Sequence, residues 1–119
     1  MRLFTKILTA FVALQHLAFL VVEMFLWEHK IGRSMFDTTA EFASQTLFMA
    51  QNQGLYNGFL AAGLAWGLFA SKRDVVIFFL SCVIVAGVFG AVTVSPTIFV
   101  VQAIPAILAL VLTLLQKRS

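Results

Sequence analysis

The sequence predicts an all-α fold, a bundle of four transmembrane helices, and three observations support this class. Hydrophobic residues make up 61% of the 119 residues and charged residues only 11%, whereas an average soluble domain has roughly 25% charged residues. The mean hydropathy is +1.00. Apolar runs near residues 3–27, 47–70, 75–95 and 97–116 each reach or approach the roughly 20 residues that cross a bilayer as a helix. A chain this short is expected to form one domain, residues 1–119.

The basic residues predict an orientation for these helices. If four helices alternate in direction, the two termini share one side of the membrane with the loop that follows the second helix. That side carries six basic residues and the other side carries two, Lys30 and Arg33. The six are Arg2, Lys6, Lys72, Arg73, Lys117 and Arg118. Because basic loops stay in the cytoplasm, both termini are predicted to be cytoplasmic, in a multi-pass protein of the cell (inner) membrane.

The expected partners follow from the same features. Membrane lipids surround a protein of this class, whereas no nucleic-acid partner is expected, because the basic residues lie at helix ends and not in a stripe with aromatic residues. Cys82 is the only cysteine and lies inside an apolar run, so it is interpreted as a small packing residue.

The first helix is predicted to be retained, although Arg2 and Lys6 before an apolar core also describe a secretory signal peptide. No cleavage site with small residues follows this core. Trp27, near the end of the run, is expected at the outer membrane interface, where tryptophan is common. His16 and Glu23 return to nearly the same helix face at about 100° per residue, and lie about 10 Å apart along the axis.

The segment of residues 28–46 is predicted to be a short helical loop outside the membrane. Thr38 followed by Glu41 fits a capping box, which favours a helix beginning at this point. Phe36 and Phe42 would then lie on the membrane surface or cover the mouth of the bundle. A solvated linker whose two rings touch lipid is the alternative.

The second helix carries the densest group of polar residues in any apolar run. Its members are Gln53, Asn52, Tyr56 and Asn57. Two glycine pairs, Gly54 with Gly58 and Gly63 with Gly67, have the spacing that lets another helix approach closely. Either pair can serve the bundle or a homodimer.

The third and fourth helices contribute fewer polar groups. The third is nearly devoid of them and is expected to supply packing, whereas the fourth carries Gln102. Pro105 is expected to bend this last helix and to free a backbone carbonyl.

Counting residues from the outer helix ends predicts how deep each polar side chain lies. One group falls in a single layer of the outer leaflet: Glu23, Asn52, Gln53 and Gln102. A second group lies near the midplane, with Tyr56 between the layers: His16 and Asn57. Polar groups in hydrocarbon need partners inside the protein, so we expect these side chains to form one centre.

Three blocks of the sequence resemble the DUF1304 family of small membrane proteins. The blocks are Gln15-His16-x6-Glu23-x-Phe25-x-Trp27, Asn52-Gln53-Gly54-x-Tyr56-Asn57-x-Phe59-Leu60-Ala61-x-Gly63, and Gln102-x2-Pro105-Ala106. The resemblance covers nearly the whole chain and implies a four-helix integral membrane protein of unknown function. It names no substrate, so the chemistry has to be inferred from the residues.

Three functions are compatible with the polar centre. In the first, Glu23 and His16 act as acid or base on a small lipophilic molecule in a pocket that opens to the outer leaflet. The residues that would orient this molecule are Gln15, Asn52, Gln53, Tyr56, Asn57 and Gln102. A carboxyl group withdrawn from water is harder to ionise, which suits proton transfer near neutral pH. In the second, Glu23 takes up and releases protons in a coupled transporter, and in the third the polar groups only hold a membrane scaffold together.

No cofactor and no metal site are expected. His16 and Glu23 are seven residues apart, whereas two metal ligands on one helix are usually four apart. The sequence contains no zinc-ligand spacing, phosphate-binding loop or GxSxG motif.

Overall fold

The structure, a computed structural model, describes residues 2–97 and 99–116 of the chain. Within these residues it is all-helical, as the sequence predicts, and contains six α-helices and one π-helical turn. In chain order the elements are α1 (Leu3–Phe25), α2 (Lys30–Phe36), α3 (Ala40–Gln45), α4 (Leu47–Phe69), α5 (Arg73–Thr93), the π-helical turn Phe99–Ala103 and α6 (Ile104–Leu115). The two short helices α2 and α3 occupy the predicted loop.

The last predicted helix is the one that differs most from expectation. A continuous helix was expected over residues 97–116, but the π-helical turn Phe99–Ala103 precedes α6, whose second residue is Pro105. Proline has no amide hydrogen to donate to the preceding turn, and wider π turns accommodate such interruptions. The irregularity that Pro105 predicts is therefore present on its N-terminal side.

Within residues 2–97 and 99–116, two helices are long and apolar enough to cross a membrane, where the sequence predicts four crossings. They are α1, with 23 residues, and α5, with 21 residues. Helix α4 also has 23 residues, but its first half contains the polar run that begins at Gln51. The apolar stretch Val100–Leu115 is shorter than the other candidates.

The chain forms two compact units, and their boundaries fall inside α1 and α4. The first unit takes the described residues of Met1–Leu14 and Leu60–Ser119. Its apolar core consists of Val12, Leu64, Val76, Leu80, Val83, Ala106 and Ala109. Helix α5 approaches the π-helical turn closely, because a Cβ atom added at Gly87 would lie 3.0 Å from the Cβ of Ala103.

Polar contacts join three chain segments at one end of this first unit. The Arg73 guanidinium donates to the carbonyl oxygens of Thr113 at 3.0 Å and Leu114 at 3.3 Å, which neutralises the negative end of α6. The Arg2 amide donates to the Gln116 side chain at 2.9 Å, and Gln116 donates to the Thr5 hydroxyl. The starts of α1 and α5 therefore lie together with the end of α6.

The second unit, Gln15–Phe59, is centred on Trp27. This side chain is only 9% exposed and packs with Ala43 and Ala50, while its indole N–H donates to the Thr46 hydroxyl at 3.0 Å. Trp27 is therefore a packing residue of this unit, because α1 ends at Phe25 and the chain has already turned at Trp27. Its place at the outer membrane interface stays a prediction.

The predicted capping box is displaced by one residue. Thr39, and not Thr38, is the N-cap of α3, and its hydroxyl accepts from the Phe42 amide at 3.1 Å. Asp37 ends α2 with φ of 52°, the left-handed conformation that aspartate tolerates. Because this residue turns the chain, the helix begins one position later than the sequence spacing indicates. The Phe36 ring lies 5.2 Å from that of Trp27, whereas Phe42 is 49% exposed.

Candidate functional site

The candidate site is a hydrogen-bonded pair that joins α1 to α4 within the second unit. Asn57 on α4 donates from Nδ2 to Oε1 of Glu23 on α1, at 2.5 Å. The Glu23 side chain is buried, with 8% of its surface exposed, and Asn57 is half-buried. A buried carboxyl group and a buried amide each need a partner, and here each supplies the other.

Glycine residues on α4 bring the two helices close enough for this bond. A Cβ atom at Gly54 would lie 2.6 Å from Cγ of Met24 and 3.2 Å from the Leu20 carbonyl oxygen. A Cβ atom at Gly58 would lie 2.5 Å from Cδ1 of Leu20. Since Leu20 contacts both glycines, this face of α4 lies directly against α1, and Asn57 beside it reaches Glu23.

The pairing of Glu23 differs from the predicted layers. The sequence places Glu23 level with Asn52 and Gln53, and places His16 level with Asn57, whereas the structure bonds Glu23 to Asn57. The prediction took Trp27 as level with residue 47, but Trp27 packs against Ala50. Helix α4 is therefore shifted by about one turn relative to α1.

Three other polar residues of α4 lie at the surface. Asn52 and Gln53 are exposed, and Tyr56 is 58% exposed, with its ring centroid 6.0 Å from that of Phe59. The structure therefore does not bring these residues to Glu23, and their binding role stays a prediction.

His16 lies on α1 two turns before Glu23 and is fully buried, with 0% exposure. Its ring meets Phe19 edge to face, with 5.3 Å between the centroids. Gln15 beside it is half-buried. The roles of His16 and Glu23 as acid and base stay predictions.

Gln102 belongs to the first unit, where its amide donates to the Val83 carbonyl at 3.2 Å. Its side chain thus joins the π-helical turn to α5. The sequence does not predict this bond, because a glutamine in an apolar run indicates only that a partner is needed. Pro105 indicates an irregular helix in this segment, but not that the Gln102 side chain reaches Val83.

Two buried threonines on α1, Thr5 and Thr9, are not among the polar residues predicted from the sequence. The Thr9 hydroxyl donates to the Thr5 carbonyl at 2.8 Å. Their spacing of one helical turn was an available signal, since two threonines on one face of an apolar helix indicate a polar contact. Together with Gln116 and Arg73 they belong to the terminal end of the first unit.

The chemistry available at Glu23 follows from its bonding. Within the described residues the structure gives this carboxyl group one side-chain hydrogen bond, through Oε1. A carboxylate has acceptor capacity on both oxygens, so Oε2 can accept from a further N–H or O–H group. Among residues 2–97 and 99–116 the structure places no three His, Cys, Asp or Glu side chains where they could hold a metal ion together.

Comparison with known proteins identifies the family. Residues 10–114 match the family described as a protein of unknown function, DUF1304. The uncharacterized protein YpaA of Lactococcus lactis subsp. lactis (strain IL1403) is 32% identical over 117 residues, covering 93% of this chain and 97% of that protein. No solved structure matches the chain significantly. The family match and the full-length similarity to YpaA agree with the three sequence blocks, and the chain belongs to the DUF1304 family.

Proposed function

We propose that this protein is a multi-pass protein of the cell membrane that binds a small lipophilic molecule at Glu23. The observation that carries the proposal is the buried carboxyl group of Glu23, bonded to Asn57 inside a helix apolar enough to cross a bilayer. Ionisable residues inside membrane helices are costly, so such a residue is the first candidate for a functional site.

The exposed surfaces of α1 and α5 support membrane embedding. In the most apolar part of each helix, only 28% and 22% of the residues are buried, whereas the core helix of a soluble protein is mostly buried. The large apolar side chains exposed on α1 include Phe4, Ile7, Phe11, Leu14, Leu17 and Val21. Soluble monomers rarely expose so large a continuous apolar surface, and lipid is the natural contact for it.

Helix α4 and the segment formed by the π-helical turn with α6 complete the proposed four crossings. The bond from Asn57 to Glu23 removes one polar obstacle to inserting α4, because the Asn57 amide then has an acceptor inside the protein. The contacts of Arg73 with Thr113 and of Arg2 with Gln116 support termini that share one side with the start of α5. The positive-inside rule places that side in the cytoplasm.

The expected ligand is lipophilic and carries an N–H or O–H group. Oε2 of Glu23 would accept from this group, while Asn57 keeps Oε1 in place. Proton transfer between the ligand and Glu23 is the chemistry that this geometry permits. Two amides would be enough for a purely structural hydrogen bond. Placing a carboxyl group in hydrocarbon costs more free energy than placing an amide there.

Mass spectrometry of the purified protein tests this proposal. We expect a small lipophilic molecule to remain bound to the native protein and to be lost from Glu23→Gln. Glutamine keeps an oxygen that can accept from Asn57, so the fold should survive the change. Glu28→Gln is the matched control, because Glu28 is exposed in the turn after α1, and it should retain the molecule.

Two results would contradict ligand binding at Glu23. In one, the native protein carries no molecule beyond bulk lipid. In the other, Glu23→Gln retains the same molecule as the native protein. Either result, together with a lower thermal stability of Glu23→Gln than of the native protein, would favour a structural pair.

A further inference from the structure

Helix α4 has a second polar surface, on the side away from α1. We call it the amide stripe and define it as Asn52, Gln53 and Tyr56. At about 100° per residue these three side chains share an arc of about 100°, while Gly54 faces α1 from the other side of the helix. Exposed apolar side chains bracket the stripe along the helix, with Met49 73% exposed and Phe59 55% exposed.

The amides of the amide stripe have no hydrogen-bond partner among the residues that the structure describes. Among residues 2–97 and 99–116, the structure gives the side chains of Asn52 and Gln53 no hydrogen-bond partner. The contact that it gives for the Tyr56 side chain is the ring contact with Phe59. If α4 crosses the membrane, as proposed above, amides on its outward face need a partner outside the chain.

We propose that the amide stripe is the contact surface for a second copy of this chain. A side-chain amide both donates and accepts, so Asn52 and Gln53 can bond to the same residues of a symmetry-related helix. A two-fold axis along the membrane normal keeps both copies in the same orientation. Each residue of the stripe then lies at the same depth as its equivalent in the second copy. Apolar side chains would then meet at the levels of Met49 and Phe59, which a lipid headgroup cannot match. This inference rests on the proposed membrane embedding, but not on a ligand at Glu23.

Disulfide cross-linking in native membranes tests the contact. Cys82 is replaced by serine, and a single cysteine is introduced by Gln53→Cys on the stripe or by Leu55→Cys as the matched control. Leu55 is on the same helix and 43% exposed, but about 160° around the axis from Gln53. On a denaturing gel we expect oxidation to shift Gln53→Cys from its 13.1 kDa monomer mass to a cross-linked dimer of twice that mass. Leu55→Cys should still dimerise but stay at the monomer mass on the gel, because its two cysteines do not meet.

A second measurement does not depend on cysteine reactivity. The double variant Asn52→Leu, Gln53→Leu should lose the dimer when its mass is measured in mild detergent, with its helical circular dichroism unchanged. Glu23→Gln should remain dimeric, because it leaves the stripe intact. Glu23→Gln therefore tests the two proposals independently, since it should lose the proposed ligand and keep the dimer.

The outcomes against the dimer are distinct. Equal cross-linking of Gln53→Cys and Leu55→Cys, or a native protein that is monomeric in membranes, would overturn the proposed contact. A monomer that retains a phospholipid dependent on Asn52 and Gln53 would assign the stripe to lipid and would also overturn it. If alkaline carbonate extracts the protein from membranes, the protein is not embedded in them, and both proposals are wrong.

Discussion

At the scale of single residues, the molecule depends on how its buried polar atoms are satisfied. Asn57 on α4 donates a hydrogen bond to Glu23 on α1. In the turn region of the same unit, Trp27 donates one to Thr46. In both pairs a residue of the first helix or its end bonds to a residue more than eighteen positions later in the chain. These bonds fix the register between segments that apolar contacts alone would allow to slide.

The Glu23–Asn57 bond should be visible in a double-mutant cycle. Asn57→Leu leaves the Glu23 carboxyl group buried without its donor, which should lower the free energy of unfolding by about 1–3 kcal/mol. Replacing both residues, as Glu23→Leu with Asn57→Leu, should recover part of that loss, because no buried polar group is then unpaired. Unfolding in mixed detergent, followed by circular dichroism, measures both values. Strictly additive losses would show that the two side chains do not interact.

At the scale of helices, the two faces of α4 carry different kinds of residue. Gly54 and Gly58 face α1, while Asn52 and Gln53 face outward. The glycine spacing is visible in the sequence, because close helix contacts need small residues. The pairing of Glu23 is not, because counting from helix ends assumes that Trp27 is level with the start of α4. Tertiary packing of Trp27 against Ala50 sets that level, and no local pattern contains it.

The long helices were easier to predict than the site. Apolar runs of about twenty residues identify helices with little ambiguity, and α4 ends at Phe69, one residue before the predicted boundary at 70. Short elements were less predictable: α2 has 7 residues and α3 has 6, too few for a periodic pattern to emerge. The π-helical turn depends on Pro105 together with the packing of Ala103 against Gly87, which involves residues far apart in the chain.

The contact of α4 with α1 can be tested by adding a single methyl group. Gly54→Ala would place Cβ 3.2 Å from the Leu20 carbonyl oxygen, which belongs to the backbone, and 2.6 Å from Met24 Cγ. Overpacking of this kind costs about 1–3 kcal/mol, which outweighs the gain of about 1 kcal/mol in helix propensity. Gly58→Ala is the control, because it meets only the flexible side chain of Leu20. In thermal unfolding we expect Gly54→Ala to melt below the native protein and Gly58→Ala to melt close to it. The opposite order would show that α1 and α4 are not in close contact at Gly54.

At the scale of the whole molecule, charge and hydropathy should together determine how the chain lies in a bilayer if it is embedded in one, as proposed. The starts of α1 and α5 and the end of α6 meet through Arg2, Arg73 and Gln116, and the sequence concentrates six of its eight basic residues on these segments. Apolar side chains cover the outside of α1 and α5. The two properties address different questions, since hydropathy determines which helices insert and basic residues determine their direction.

The direction of insertion can be measured by labelling introduced cysteines in intact cells. In a Cys82→Ser background, Ser34→Cys lies in the exposed part of α2 and Ala70→Cys lies in the exposed turn before α5. With cytoplasmic termini and four crossings, a membrane-impermeant maleimide should label Ser34→Cys in intact cells and Ala70→Cys only after permeabilisation. The Cys82→Ser background alone should remain unlabelled.

Labelling of both positions in intact cells would mean that an even number of crossings separates them. The reverse pattern would mean that the six basic residues do not set the orientation. Because α4 is the segment between these two cysteines that is long enough to cross, the result also decides whether α4 spans the bilayer despite its polar first half.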